Sequence, residues 1–467
     1  MRPVALLPLL ALAACGIPRL GTPPVPATAP VAQAVVSLPP TSGFAVSGEW
    51  WRNFGDPQLD ALVAEAIANA PDIASAAARV RSAQAVVEQT SAADLPGLTL
   101  DGQAGVTRQS RNLGIPPQFV PQQILSTGRL TATATFNLDL WGRQHAAVRA
   151  ARGEAAAAEL DAAQGKLLVA SEVVTAYADL QRLLAARGLA SQAVAARDTT
   201  VALTQARVRQ GLENNGALAQ AAQRAAQGRS DLQQLDELLA AGRHRLAAAV
   251  GAGPDRALTV QPRLNPAAFA VPANAGIDLV GRRPDLAAAR VRAQAASERI
   301  RVAKADFYPN ISLAGIIGLQ ALRLPLLFEG NSAYGNAGPA FSLPIFDNGR
   351  IAGRYRQSRA DYDVAVANYD RTLLTALREA ADAVSSTRAV ELQRASAAEA
   401  VAQAEEATRV ARLRYQAGLT NQLPLLTADD ALVAARRALV ELDARRLTVA
   451  VQLARALGGG LPNTGAK

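Results

Sequence analysis

The sequence predicts a mainly α-helical protein with a small β part, built from one unit used twice. Half of the 467 residues are hydrophobic but only 4 % are aromatic, so alanine dominates the apolar fraction. That composition suits long helices packed closely through small residues. Short stretches in each half instead alternate apolar and polar residues, the mark of strands with two different faces. The chain also matches itself. Pro71-Asp72 lies 213 residues before Pro284-Asp285, and Pro96 lies the same distance before Pro309. Gly142-Arg143, Arg207, Gly211-Leu212 and Gly251 return 207 residues later as Gly349-Arg350, Arg414, Gly418-Leu419 and Gly458. A constant spacing over such a distance indicates a duplicated unit.

Residues 1–14 carry Arg2 and then an apolar run too short to span a bilayer as a helix, as in a cleaved signal peptide. Leu12-Ala13-Ala14-Cys15 fits the bacterial lipobox, in which the cysteine is acylated and becomes the first mature residue. Cys15 is the only cysteine, which excludes an intrachain disulfide and a cysteine-built metal site. Residues 15–57 are rich in proline, including Pro18, Pro23, Pro24, Pro26, Pro39 and Pro40, and are expected to form an extended lipidated tether.

The first repeat spans 58–252. One helix is expected near 58–93, ended by Pro96. A β-hairpin follows within 97–141, from "LTLDGQAGVT" (98–107) and "RLTATATFNLDLW" (129–141). No proline occurs between Pro121 and Pro254, so 142–210 reads as one helix roughly 100 Å long at about 1.5 Å per residue. "GLENNG" (211–216) breaks it, and helix 217–250 returns antiparallel. A linker is expected over 253–276.

The second repeat, 277–458, has the same order. A helix runs to about 306. A hairpin lies within 310–346, its strands 310–320 and 337–346, the second interrupted by Pro339 and Pro344. A long helix follows, the tip "GLTN" (418–421), and a return helix 422–457, with 459–467 as a tail. Both long helices carry small or apolar residues at coiled-coil spacing, for example Ala163, Leu167, Ala170, Val174 and Tyr177.

On the strands, Asp101, Gln103, Thr131, Thr133, Thr135 and Asn137 alternate with Leu98, Leu100, Leu130, Ala132, Phe136 and Leu138. Four strands cannot close a barrel in lipid, where open edges are not tolerated. If they span, several chains must pool them: two would give eight strands and three would give twelve.

The net charge of +9 would allow a polyanionic partner. However, only three of the 48 basic residues are lysines and the arginines are scattered along helices among 39 acids. Without a basic run or aromatic stacking platform, no nucleic acid is expected. His145 and His244 are far apart, and no phosphate-binding loop, nucleophile elbow or zinc spacing occurs, so neither an enzyme nor a metal or cofactor is expected.

Three stretches, "WWRNFGDPQLDALVAEAIANAPDI" (50–73), "LVGRRPDLAAARVRAQAASERIRVAKADFYPNISLAG" (279–315) and "RLRYQAGLTNQLPLLTADDAL" (412–432), together with the lipobox, resemble the outer-membrane efflux lipoproteins, exit ducts of the TolC and OprM type. The likeness covers nearly the whole chain in order. It implies a homotrimer, with a 12-stranded outer-membrane β-barrel continued by a long periplasmic α-helical barrel. It further implies passive export of small molecules with a periplasmic adaptor (membrane fusion) protein and an inner-membrane pump of the RND type. A duct for secreted polypeptides and a structural periplasmic coiled coil are the competing readings. In relatives an Arg-x-x-x-Gly-Leu tip docks the adaptor, which maps to Arg207, Gly211 and Leu212 and to Arg414, Gly418, Leu419 and Thr420. The gate of relatives is matched only at Tyr415: Thr420 and Ala217 stand where its arginine and aspartate would be. Pro424 and Thr427 stand where acidic ring residues often do. Tyr415, Asn421, Gln422, Thr427 and Asp429 are therefore expected to form a more neutral periplasmic aperture.

Overall fold

The structure, a computed structural model, describes residues 17, 18, 20–34, 38, 48–112, 116–264 and 277–460. The signal peptide, Cys15 and 461–467 lie outside the described residues. The main helices are α1 (Pro57–Asn69), α2 (Pro71–Ala92), α3 (Arg143–Arg209), α4 (Asn215–Val250), α5 (Pro284–Ala305), α6 (Arg350–Gln416) and α7 (Leu423–Ala456). The strands are β1 (Gly97–Thr107), β2 (Leu125–Leu138), β3 (Asn310–Ala321) and β4 (Ala333–Ser342). α3 and α6 are each 67 residues long, and α2 and α5 each 22.

The chain divides into two compact units. The first contains the sheet, in the order β1-β2-β3-β4 with every pair antiparallel, and the helix segments that lead into and out of it. There α3 and α5 meet through Gly153, where an added Cβ would lie only 2.9 Å from the Ala295 Cβ. Arg149–Glu298 at 2.9 Å and Arg299–Glu154 at 2.8 Å flank that contact. These pairs are half exposed and contribute little; the close approach of backbones is what the small residue permits.

The second unit holds the main core and both hairpin tips. Leu59, Leu62 and Val63 of α1 are buried, as are Val173, Val174 and Tyr177 of α3 and Leu246 and Val250 of α4. Asp56 organises the neighbourhood. Its Oδ1 accepts from the Gln58 amide at 3.0 Å, capping α1, while its Oδ2 accepts from Tyr177 Oη at 2.6 Å and the Arg263 amide at 3.0 Å. Burial, and then the bond to Asp56, raise the Tyr177 phenol far above its ordinary range, so it stays a donor.

Several boundaries differ from expectation, each for a local reason. The single helix expected near 58–93 is two, because Ala70 precedes Pro71 and takes extended geometry at ψ 126°. β2 begins at Leu125 and ends at Leu138; Trp141, expected in the strand, lies in a turn. β4 occupies Ala333–Ser342, so Pro344 falls beyond it. Pro339 sits within β4 opposite Leu313 of β3, and the strand continues through it to Ser342. The tether is partly core: Trp50–Phe54 form a 3-10 turn with Trp50 and Phe54 fully buried. Residues 253–264 of the linker are docked, since the Leu264 amide donates to Gln181 Oε1 at 2.7 Å and Val260 is buried. The tail begins packed, because Gly459, at φ +60°, leaves no room for a Cβ beside Leu167.

Candidate functional site

The ladders fix which side chains share a face of the sheet. Asp101 pairs with Thr131, Gln103 with Arg129 and Thr99 with Thr133; Thr131 continues to Gly318 and Thr135 to Ala314. Pairing therefore gathers Asp101, Gln103, Thr131, Thr133, Thr135 and Asn137 on one side, with Asn336 and Tyr334 of β4. Ile316 is an apolar exception among them. Arg129 Nε donates to Thr131 Oγ1 at 3.0 Å and to Tyr334 Oη at 2.9 Å, forming a polar knot on this face.

The opposite face joins Leu98, Leu100, Val106, Leu130, Phe136, Leu313, Ile317 and Phe341. Leu98, Leu100, Val106, Ile317 and Phe341 are 69 to 81 % exposed. A continuous apolar sheet face open to its surroundings is not stable in water and belongs against another apolar phase. The strands have 11, 14, 12 and 10 residues, enough to cross a hydrocarbon layer at about 9–11 residues per tilted strand. At the helix-bearing end, Trp141 stacks on Tyr308 with centroids 4.8 Å apart and donates to the Pro309 carbonyl at 2.8 Å. Such amphipathic rings suit a lipid–water boundary. Among the described residues no helix is long and apolar enough to cross a membrane.

The two tips are built alike. Gly211 and Gly418 take φ +71° and +73°. The Leu212 amide bonds to the Arg207 carbonyl and the Leu419 amide to the Arg414 carbonyl, both at 2.9 Å, with Gly211 to Val208 and Gly418 to Tyr415 inside them. These are Schellman closures, which need an αL residue at the glycine position. The repeated Arg-x-x-x-Gly-Leu spacing is thus a helix stop in both halves. Leu212 and Leu419 are left exposed, as are Gly211, Arg414 and Gly418. Thr420 is half-buried.

Between the tips lies a buried cluster the sequence does not announce. Arg207 covers the Tyr415 ring, Gln422 Nε2 donates to Thr204 Oγ1 at 2.8 Å, and Thr204 Oγ1 lies 3.3 Å from Tyr415 Oη. Gln422 Oε1 and Arg207 Nε are buried without a hydrogen-bond partner. Tyr415 and Gln422, expected at the aperture, are fully or almost fully buried inside the protomer, because α3 and α6 meet over them. Asn421 and Thr427 are exposed and Asp429 is half-buried near Arg412, at 3.5 Å. Burial raises the Asp429 carboxyl above its usual range; Arg412 opposes the rise and neighbouring Asp430 adds to it.

One constellation escaped the sequence because its members are 45 or more positions from Asp94. Asp94, Asp139 and His145 bring one donor atom each within 4.8 Å of one another. Asp139 already accepts from the Gln144 and His145 amides at 3.0 and 2.9 Å and faces His145 Nδ1 at 2.6 Å, which satisfies free N–H groups in the first turn of α3.

Comparison with known proteins adds an independent line. The profile described as outer membrane efflux protein matches residues 62–252 and again 278–459. The multidrug resistance outer membrane protein MdtP of Escherichia coli strain K12 is 31 % identical over 430 residues, covering 88 % of this chain and 86 % of that protein. The pyoverdine export outer membrane protein OpmQ of Pseudomonas aeruginosa is 30 % identical over 418 residues, covering 88 % of this chain and 87 % of that protein. Among solved structures, the outer membrane protein VceC of Vibrio cholerae superposes with a TM-score of 0.84 at 36 % identity, over 89 % of this chain and 99 % of that one.

Proposed function

The chain belongs to the outer membrane efflux protein family and is an outer-membrane efflux channel, and from that premise we propose that three copies pool their strands into a 12-stranded barrel that small molecules cross passively. The observation that carries this reading is the two-faced sheet. β1 and β4 each pair on one side only among the described residues, and lipid tolerates no such edge. Closing β4 of one copy onto β1 of the next removes both edges, faces Leu100 and Phe341 to lipid and turns Asp101 and the Thr131 row to a water-filled lumen.

Transport then needs no chemical step in this chain. The energy comes from an inner-membrane pump, of RND type by resemblance, reached through a periplasmic adaptor. Docking falls to the exposed tip residues Gly211, Leu212, Arg414, Gly418 and Leu419, flanked by Arg207 and Thr420. The aperture falls to Asn421, Thr427 and Asp429. The Pro-rich tether carries a lipid at Cys15. Its support is the path of the described segment: Arg359 Nη2 donates to the Gly21 carbonyl at 2.6 Å and Tyr362 Oη to the Pro24 carbonyl at 3.2 Å. Passing back from Pro24 to Gly21 therefore approaches the Arg350 end of α6, next to the sheet. MdtP is named for multidrug resistance and OpmQ for pyoverdine export, and likeness to them favours small-molecule efflux over polypeptide secretion.

The test is a heat-modifiable trimer in the outer-membrane fraction that forms conducting pores in planar bilayers. A monomer without conductance would refute the reading.

A further inference from the structure

Between β3 and β4 the chain does not turn directly. It makes two short helical turns, Leu324–Leu326 and Gly330–Ser332, and folds back over β2. The Leu324 amide donates to Ser126 Oγ at 3.2 Å. A Cβ on Gly128 would come within 2.7 Å of Leu324 Cδ1 and 3.0 Å of Leu327 Cδ2, so both leucine ends lie against the β2 backbone at this point. Ser126 and Gly128 alternate in step with Leu130 and Ala132, which places them in the apolar row of β2. The loop therefore lies on the lipid side of the wall, at the strand ends remote from the helices.

Its own side chains fit that position. Leu327 is buried beneath the loop, whereas Leu322, Leu324, Leu326 and Phe328 are exposed. A loop rising into water would gain nothing by turning four large apolar groups outward, while acyl chains would cover them. Arg323 is exposed in the middle of this row and has no ion pair among the described residues. The two connections at this end, 108–124 and 322–332, contain Arg108, Arg111 and Arg323 against Glu329 alone. Apolar side chains with arginine beside them match the junction of hydrocarbon and an anionic headgroup, where a guanidinium binds phosphate bidentately.

We propose that residues 322–328 form a foot in the outer leaflet and that Arg323 binds a phosphate of a phosphorylated glycolipid headgroup there. The inference rests on the outer-membrane channel reading. Facing lipid, the foot would anchor each copy from outside the barrel, and a trimer would carry three such sites.

The experiment uses the full-length, delipidated trimer and native mass spectrometry. It is titrated with bis-phosphorylated lipid A, its dephosphorylated counterpart, phosphatidylglycerol and phosphatidylethanolamine. The trimer is expected to bind up to three lipid A molecules, with affinity falling about fivefold for Arg323→Gln, the effect of roughly one arginine at an anionic surface. Phe328→Ser should weaken lipid A and its dephosphorylated counterpart alike. Unchanged lipid A binding by Arg323→Gln would overturn the proposal, as would equal binding of phosphatidylglycerol or phosphatidylethanolamine. Trimer recovery from the outer-membrane fraction is measured on the same samples. Intact trimers with no lipid preference sink only the foot, whereas absence of wild-type trimers sinks the channel reading itself.

Discussion

The guanidinium of Arg207 lies 4.7 Å from the centroid of the Tyr415 ring and donates through Nη1 to the Tyr415 carbonyl at 3.1 Å. One side chain thus ties the tip of the first hairpin to that of the second. Arg207→Ala removes a charged hydrogen bond and a cation–π contact, together worth about 2 kcal/mol. Hydrogen exchange at amides 415–422 should accelerate by more than tenfold, with Tyr415→Phe producing a much smaller change because its hydroxyl contact to Thr204 is long. Equal protection in Arg207→Ala would show that the contact does not hold the tips.

Capping and docking can be separated at the same motif. Gly211→Ala places a Cβ at φ +71° and should lower stability by about 1 kcal/mol. Leu212→Asp and Leu419→Asp change side chains that are 60 and 77 % exposed, so the melting temperature should stay put. Binding of the cognate adaptor hairpin, followed by surface plasmon resonance, should weaken at least tenfold in the aspartate variants. Retained affinity would assign the motif to capping alone.

Much of this architecture is legible in the sequence because it is local. The period of two in 129–138 depends only on neighbouring residues, as do the helix stop at Gly211 and the exposed Leu212. What stays hidden comes from contacts between distant segments. Tyr415 and Gln422 look like pore-lining polar residues until Thr204 and Arg207, more than 200 positions earlier, close over them. Asp56 falls within the stretch that reads as tether, and nothing in its neighbourhood marks it as the partner of Tyr177 and Arg263. The fold-back of 322–328 onto Gly128 leaves no periodic trace, since a loop of leucines carries neither of the two repeats that pattern reading detects.

Asp429 gives the tip a pH dependence of definite sign. Its folded carboxyl, raised chiefly by burial, binds its proton more tightly than the unfolded one at the ordinary value of 3.8. Stability from this group is therefore complete below 3.8 and is lost as pH rises through the raised value. Asp429→Asn should match the wild-type melting temperature near the acid end and exceed it at neutral pH. A difference that is constant with pH would rule out this assignment.

Arg283 explains why the Arg-Arg-Pro-Asp stretch takes this form. Its side chain is 6 % exposed and pairs with Asp285 and with Glu379 of α6, each at 2.7 Å. Removing one partner of a buried pair typically costs about 3–5 kcal/mol, and the partial exposure of both acids places Arg283→Met near the lower figure. Glu379→Leu in the same chain should recover part of the loss, because the stranded charge is removed. A double variant no better than the single one would show that packing of the arginine stem is what matters.

The two faces of the sheet should respond oppositely to the same substitution. Leu100 and Asp101 are neighbours in β1, but the ladder sets Leu100 beside Ala132 in the apolar row and Asp101 beside Thr131 in the polar one. Leu100→Arg would place a charge against hydrocarbon, at a cost of about 2–4 kcal/mol near mid-bilayer, and should reduce the yield of heat-modifiable trimer. Asp101→Arg puts the same side chain toward water and should leave assembly intact. Three copies would instead replace three lumen carboxylates with guanidinium groups and shift the reversal potential under a salt gradient toward anion selectivity. If Asp101→Arg abolished assembly while Leu100→Arg was tolerated, the lumen and lipid faces would have to be exchanged.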